Sequence, residues 1–95
     1  MIPASPEAAP FDTAGRYELD PLVALRPEPF GALAYHYGSR RLTFLRSKLL
    51  ADVVAELGRY DSAGAALADR VPAPSRPAYE RALANLARSE FIRAC

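Results

Sequence analysis

The sequence predicts a single α+β domain in which a three-stranded antiparallel meander is followed by three helices. Two observations lead to this. Between Leu22 and Leu45, short apolar and β-branched runs are punctuated by Pro27-Glu28-Pro29-Phe30-Gly31 and by Gly38-Ser39, the turn chemistry of hairpins. From Ser47 onward the large apolar residues fall at helical spacing instead, with serine, glycine and proline at the breaks. A small sheet needs its apolar face covered, and the helices that follow are the only material available.

Residues 1–14 hold three of the nine prolines and little periodicity, so they read as a poorly ordered N-terminal arm. Phe11 is the residue there with the bulk to pack back. Residues 15–95 form the single domain, with Pro21 at the boundary before the first strand, Leu22 to Arg26. The second strand runs from Ala32 to Tyr37 and the third from Arg40 to Leu45. Glycine at the first central position of a two-residue loop predicts a type II′ turn at Gly38-Ser39. That turn sets Tyr37 opposite Arg40, Tyr35 opposite Leu42 and Leu33 opposite Phe44. Ala32, Ala34 and His36 then share the other face with Leu45, Thr43 and Arg41. One face is bulky and apolar, the face for helices to cover. The other is mostly small or polar and places His36 toward solvent.

Ser47 is the expected cap of a first helix from Lys48 to Leu57, with Leu49, Leu50, Val53, Val54 and Leu57 on one stripe. Gly58 stands where a left-handed C-terminal cap is wanted. A second, shorter helix starts at Asp61-Ser62 and ends near Asp69, before Val71-Pro72-Ala73-Pro74. Ser75 is the expected cap of a third, with Pro77 tolerated in its first turn and Glu80 favourable near its positive end. Tyr79, Leu83, Leu86 and Ala87 form its stripe, closed by Phe91 and Ile92. A meander packed on three helices is an arrangement of winged-helix type.

Composition bounds the function. At 95 residues, one domain is the ceiling, and 19 alanines within the 51% apolar fraction leave only a thin core. The charge balance of 12 basic to 11 acidic side chains is unlike that of a dedicated nucleic-acid binder. No run approaches the roughly 20 apolar residues of a membrane span, and Met1 to Pro10 lack the basic start and apolar run of a secretory signal. Cys95 is the single cysteine, so no intrachain disulfide forms and no metal cage is expected. The expectation is a reduced, cytoplasmic protein.

Catalytic chemistry is not expected either. His36 is the single histidine, and Asp52 with Glu56 reads as a solvated helix face rather than a paired-carboxylate site. No phosphate-cradling glycine loop or metal-ligand spacing occurs. Two features point to peptide binding instead. The first strand runs into Pro27 and Pro29, which cannot donate ladder hydrogen bonds. The third, Arg41-Leu42-Thr43-Phe44-Leu45, contains no proline and can offer free backbone groups to an added strand. Moreover, no acidic residue occurs from Pro29 through Ala51, a stretch holding Arg40, Arg41, Arg46 and Lys48, which favours an acidic guest.

The residues from Leu22 through Arg46 resemble the mycofactocin biosynthesis chaperone family, within the PqqD-like group of RiPP recognition elements. The string Arg26-Pro27-Glu28-Pro29-Phe30-Gly31-Ala32-Leu33 and the Tyr37-Gly38-Ser39-Arg40 region carry most of the likeness. Leu83-Ala84-Asn85-Leu86-Ala87-Arg88-Ser89 is a secondary match, and the likeness spans about residues 15–93. The resemblance implies three strands followed by three helices and a non-catalytic chaperone. It implies binding of the leader of a ribosomally made precursor, here a small mycofactocin precursor ending in Val-Tyr. It also implies delivery of that precursor to a radical SAM enzyme, which would hold the iron–sulfur clusters and S-adenosylmethionine. No cofactor is expected on this chain.

On that reading the leader pairs with the edge strand formed by Arg41, Leu42, Thr43, Phe44 and Leu45, in the groove toward the third helix. Leu45, Tyr79, Ala82, Leu83 and Leu86 would line its pockets, and Arg41, Arg76 and Arg81 would meet leader carboxylates. Thr43→Pro is expected to remove an edge donor. An open edge also permits a domain-swapped dimer besides a monomer. The rival reading is a winged-helix DNA-binding protein with Arg76, Arg81, Arg88 and Arg93 on phosphates. Against it, these arginines are scattered around the helix near Asp69, Glu80 and Glu90.

Overall fold

The computed structural model describes residues 11–95. In chain order the elements are β1 (Tyr17–Leu19), β2 (Val23–Glu28), β3 (Gly31–His36), β4 (Arg41–Leu45), α1 (Lys48–Glu56), α2 (Ala63–Arg70), α3 (Arg76–Arg88) and β5 (Ile92–Ala94). β2, β3 and β4 form the expected antiparallel meander, and three helices follow it. A second sheet pairs β1 with β5, setting Tyr17 opposite Ala94 and Leu19 opposite Ile92. Sequence reading placed Phe91 and Ile92 at the end of the third helix. Instead, α3 stops at Arg88, and Glu90 takes a left-handed φ of 67°. The Phe91 N–H then reaches back to the Leu86 carbonyl and the Glu90 N–H to that of Ala87. This is a Schellman closure with Glu in place of the usual glycine. It turns the chain so that Phe91 and Ile92 still enter the core, but as part of a strand.

The expected β3–β4 register holds: Leu33 lies opposite Phe44, Tyr35 opposite Leu42, and His36 opposite Arg41. The turn that closes it differs. Gly38 does not have the positive φ a type II′ turn requires, and Arg40 carries it instead, at 61°. The loop is the four residues Tyr37–Arg40. His36 holds it by accepting the Gly38 and Ser39 N–H groups at Nδ1, at 3.0 and 3.1 Å. A side chain that satisfies two loop amides takes over what glycine geometry would otherwise do.

The sheet is also turned over relative to the sequence expectation. Ala32, Ala34, His36 and Leu45 face the helices and are buried, while Tyr37, Leu42 and Phe44 stand in solvent. His36 is thus a core residue, its ring edge-on to Phe91. The reason is distance. Val53 and Val54 of α1, Leu57 just beyond it, and Leu83 and Leu86 of α3 already occupy much of the core, so β3 beneath them can contribute little beyond alanine. Gly31 is packed tightly for a different reason, against the backbone where β4 leads into α1: at φ +147°, a Cβ there would stand 2.1 Å from the Leu45 carbonyl oxygen and 2.8 Å from the Ser47 nitrogen.

Two expected caps also change. Ser47 caps α1 as foreseen, accepting from the Leu50 N–H at 3.0 Å, and Ser62 caps α2 through Ala65. Gly58, however, lies inside a 3-10 turn, Leu57–Arg59, without a positive φ. Ser75 makes no side-chain cap bond, because it ends a 3-10 turn that leads directly into α3. The first ten residues of the arm assigned to 1–14 lie outside the described residues. Among the rest, the Phe11 ring packs on Tyr17 at 4.8 Å, and the Thr13 carbonyl accepts from the Gly64 N–H.

Gly31→Ala should lower stability by about 3 kcal/mol, since it combines left-handed strain with a backbone clash. Urea denaturation measures this, and an unchanged midpoint would contradict the close approach. Glu90→Gly should do the reverse, adding about 0.5–1 kcal/mol by relieving the left-handed position.

Candidate functional site

The meander has two edges, and their chemistry is unequal. The Tyr37 N–H donates to the Leu22 carbonyl at 2.8 Å, which fixes the phase of the β2–β3 ladder. By antiparallel alternation, the β2 positions whose backbone points away from β3 are then Val23, Leu25 and Pro27. Val23 is occupied by the Asp20 carbonyl, and Pro27 has no N–H to offer. The β2 edge is therefore blunted, as its prolines foretold.

On β4 the same alternation turns Arg41, Thr43 and Leu45 toward β3 and leaves Leu42 and Phe44 with outward N–H and C=O groups. β4 is the last strand of its sheet, and among the described residues no strand pairs with its outer side. The expected test by Thr43→Pro is thereby corrected. The Thr43 N–H belongs to the internal ladder opposite Ala34, so proline there would break the sheet rather than its free edge. Leu42 and Phe44 are the edge donors.

Around this edge the sequence-selected residues separate into two groups. Arg41, Leu42 and Phe44 are exposed, and Thr43, Tyr79 and Ala82 are half-buried. Leu45, Leu83 and Leu86 are buried in the core. Arg76 is committed elsewhere. Its Nε donates to the Val71 carbonyl at 2.8 Å and its Nη2 to that of Ala68 at 3.1 Å, which caps the C-terminal end of α2. Arg81 is exposed on α3. Tyr79 ties the site together: its hydroxyl and that of Ser47 are 2.8 Å apart, joining α3 to the junction where β4 enters α1.

Sequence reasoning missed two features. The cleft of about 650 Å³ lies at the opposite edge, between β2 and α1, lined by Leu25, Pro27, Glu28, Lys48, Ala51 and Asp52 among others. The other is the exposed apolar face of the meander, foreseen as a bulky set but assigned to the wrong side.

Among the described residues no catalytic constellation assembles. His36 is engaged in the loop through Nδ1, with its Nε2 standing 3.9 Å from Asp20 Oδ1, and Cys95 is exposed and unpaired. Among the described residues no three acidic, histidine or cysteine side chains could hold a metal, and no helix is long and apolar enough to cross a membrane. Of the four arginines that the DNA-binding reading requires on phosphates, Arg76 caps α2, Arg93 pairs with Glu18 at 2.8 Å and Arg88 bonds to Asn85.

The fold is that of a small α+β domain whose β4 edge pairs with no further strand among the described residues. The model of the peptide chaperone MftB family matches residues 16–93. Peptide chaperone MftB of Mycobacterium tuberculosis is 39% identical over 87 residues, covering 90% of this chain and 80% of that protein. The Mycolicibacterium smegmatis protein of the same name is 39% identical, over 90% of this chain and 85% of its own. That of Mycobacterium ulcerans is 38% identical, over 96% and 88%. No solved structure matches significantly. The chain belongs to the MftB peptide chaperone family, the non-catalytic RiPP recognition elements of mycofactocin biosynthesis.

The Ser47–Tyr79 link can be tested through stability. Ser47→Ala loses both the α1 cap and the bond to α3, a cost of about 1.5–2.5 kcal/mol. Tyr79→Phe loses only the second, about 0.5–1 kcal/mol. Equal losses in thermal or urea unfolding would show that the cap contributes nothing.

Proposed function

We propose that this chaperone binds the leader segment of a ribosomally made precursor peptide by strand addition at β4 and delivers it to a radical SAM maturase. The partners on this reading are a small mycofactocin precursor and that enzyme. The observation that carries the reading is the free backbone of Leu42 and Phe44 on an edge without proline. A strand paired opposite these two residues would exchange up to about four ladder bonds. At roughly 0.5–1.5 kcal/mol each, these about offset the 2–5 kcal/mol cost of ordering a flexible segment. Net affinity must then come from side chains. Arg41 on the inner side of β4 and Arg81 on α3 supply cationic anchors for an acidic leader, while Tyr79 and Ala82 supply the half-buried surface between them.

Leu42→Pro removes an outward donor and leaves the internal ladder in place; Leu42→Ala trims the side chain and keeps the donor. Calorimetry with a synthetic leader peptide should give roughly tenfold weaker binding for the proline variant. The alanine variant should stay within about twofold of wild type, since its backbone donor is retained. Circular dichroism checks that both are folded. A folded Leu42→Pro protein with wild-type affinity would rule out strand addition at this edge.

A further inference from the structure

The outer face of the meander is the part of the molecule that its own fold leaves unexplained. Leu22, Phe30, Tyr37, Leu42 and Phe44, the large apolar side chains with 44–62% exposure, all belong to it. They form one surface rather than scattered residues. Leu22 lies opposite Tyr37, Tyr35 opposite Leu42 and Leu33 opposite Phe44. The Phe30 ring stands edge-on to Phe44 at 5.7 Å, and Tyr35 edge-on to Tyr37 at 4.9 Å. Exposed Ala24, opposite Tyr35, continues the surface onto β2. Contiguous aromatic surface of this kind marks an interaction site.

Charge indicates the occupant. Arg40 in the hairpin loop and Arg46 beyond β4 border the face. The Arg46 guanidinium lies 5.4 Å from the Phe44 ring centroid. Among the described residues neither has a carboxylate partner, whereas Arg26 is neutralised by Glu28 at 2.8 Å. Two copies stacked on this face would bring Arg40 and Arg46 of each toward those of the other, which disfavours self-association. The face is three strands wide and roughly 14 by 17 Å, the size of the apolar centre of a protein–protein interface rather than of a ligand pocket.

We propose that the outer face of β2–β4 docks a folded protein that presents an apolar patch bordered by carboxylates. Resting on the function proposed above, that protein is the maturase receiving the peptide. The geometry keeps the two partners apart. Leu42 and Phe44 turn their backbone sideways to the leader and their side chains outward to the docked protein. An added fourth strand would display its own alternate side chains on the same outer face, within reach of the enzyme.

Ala24→Glu and Tyr37→Glu place negative charge on this face away from the β4 edge. With the purified maturase immobilised for interferometry, each should weaken binding at least about tenfold, as expected for an interface centre. Each should leave leader affinity by calorimetry within about twofold of wild type, because neither residue belongs to the β4 edge. Arg46→Glu, which removes no core contact, should slow association and reduce its salt dependence. It decides the matter if either of the other variants fails to fold. Wild-type binding to the maturase that all three variants retain would overturn the proposal while leaving leader binding intact. Wild-type protein that binds neither leader nor maturase would overturn the parent reading as well. A variant-sensitive dimer in sedimentation equilibrium, or variant-sensitive binding to a single-stranded oligonucleotide with maturase binding unchanged, would reassign the face and overturn the proposal.

Discussion

The close approach of the helices to the inner face of β3 is the constraint on which the rest of this molecule depends. Ala32 and Ala34 face the helices with almost no exposed surface, and Gly31 at the start of the strand has no room for one more carbon against the backbone of Leu45 and Ser47. Small side chains there leave room for Val53, Val54, Leu57, Leu67, Leu83 and Ile92, which with Leu45 of β4 make up most of the core. In a strand, what one face gives up the other receives, because side chains alternate. The bulky members of the meander are therefore driven outward, and a domain with a thin core acquires a large apolar exterior. Thin cores usually need other supports. Here the β1–β5 ribbon ties residues near both ends of the domain together, and the Glu18–Arg93 pair spans it.

How far the sequence could be read follows from which interactions were local. The β3–β4 register was legible because turn position and alternation agree. The positions paired in the sheet depend on the loop's midpoint, so a four-residue loop around Gly38-Ser39 gives the same partners as the expected two-residue one. The turn type was not legible, since it depends on the His36 ring accepting two amides. Ser47 and Ser62 behaved as caps because a serine before a helical run acts within three residues of itself. Gly58 did not, because the chain beyond it tightens into a 3-10 turn instead of reversing. The β1–β5 pairing joins positions 75 residues apart in sequence, as Glu18 and Arg93 do, and three-residue strands carry no periodicity to detect. The Glu90 reversal was concealed by its residue type, since glycine is what normally announces such a closure.

The inversion of the sheet has a different origin. Bulky residues on one face and small ones on the other are ordinarily read as core and solvent. Here the alanines are the better evidence, because helices that carry their own stripes of leucine and valine need a strand of small residues beneath them. The same logic accounts for His36, a polar residue that is tolerated inside because loop amides satisfy it. Edge polarity, in contrast, was legible from one residue type: Pro27 lacks a donor wherever it stands, and the structure turns that gap outward on β2.

Edge and face are consequences of a single strand. A residue in β4 has two orthogonal channels of recognition, its backbone in the plane of the sheet and its side chain perpendicular to it. Thr43 and Leu45 turn both inward, to β3 and to the helical side, and Arg41 turns its backbone to β3; among the described residues Leu42 and Phe44 leave both free. A peptide pairing in the plane and a protein resting on the face would therefore touch the same two residues without competing for the same atoms. Adding a strand would also widen the face by about 4.8 Å, so that occupancy of the edge is written onto the surface the second partner reads. On the proposed function, such a carrier would report that it is loaded without any change in its own conformation.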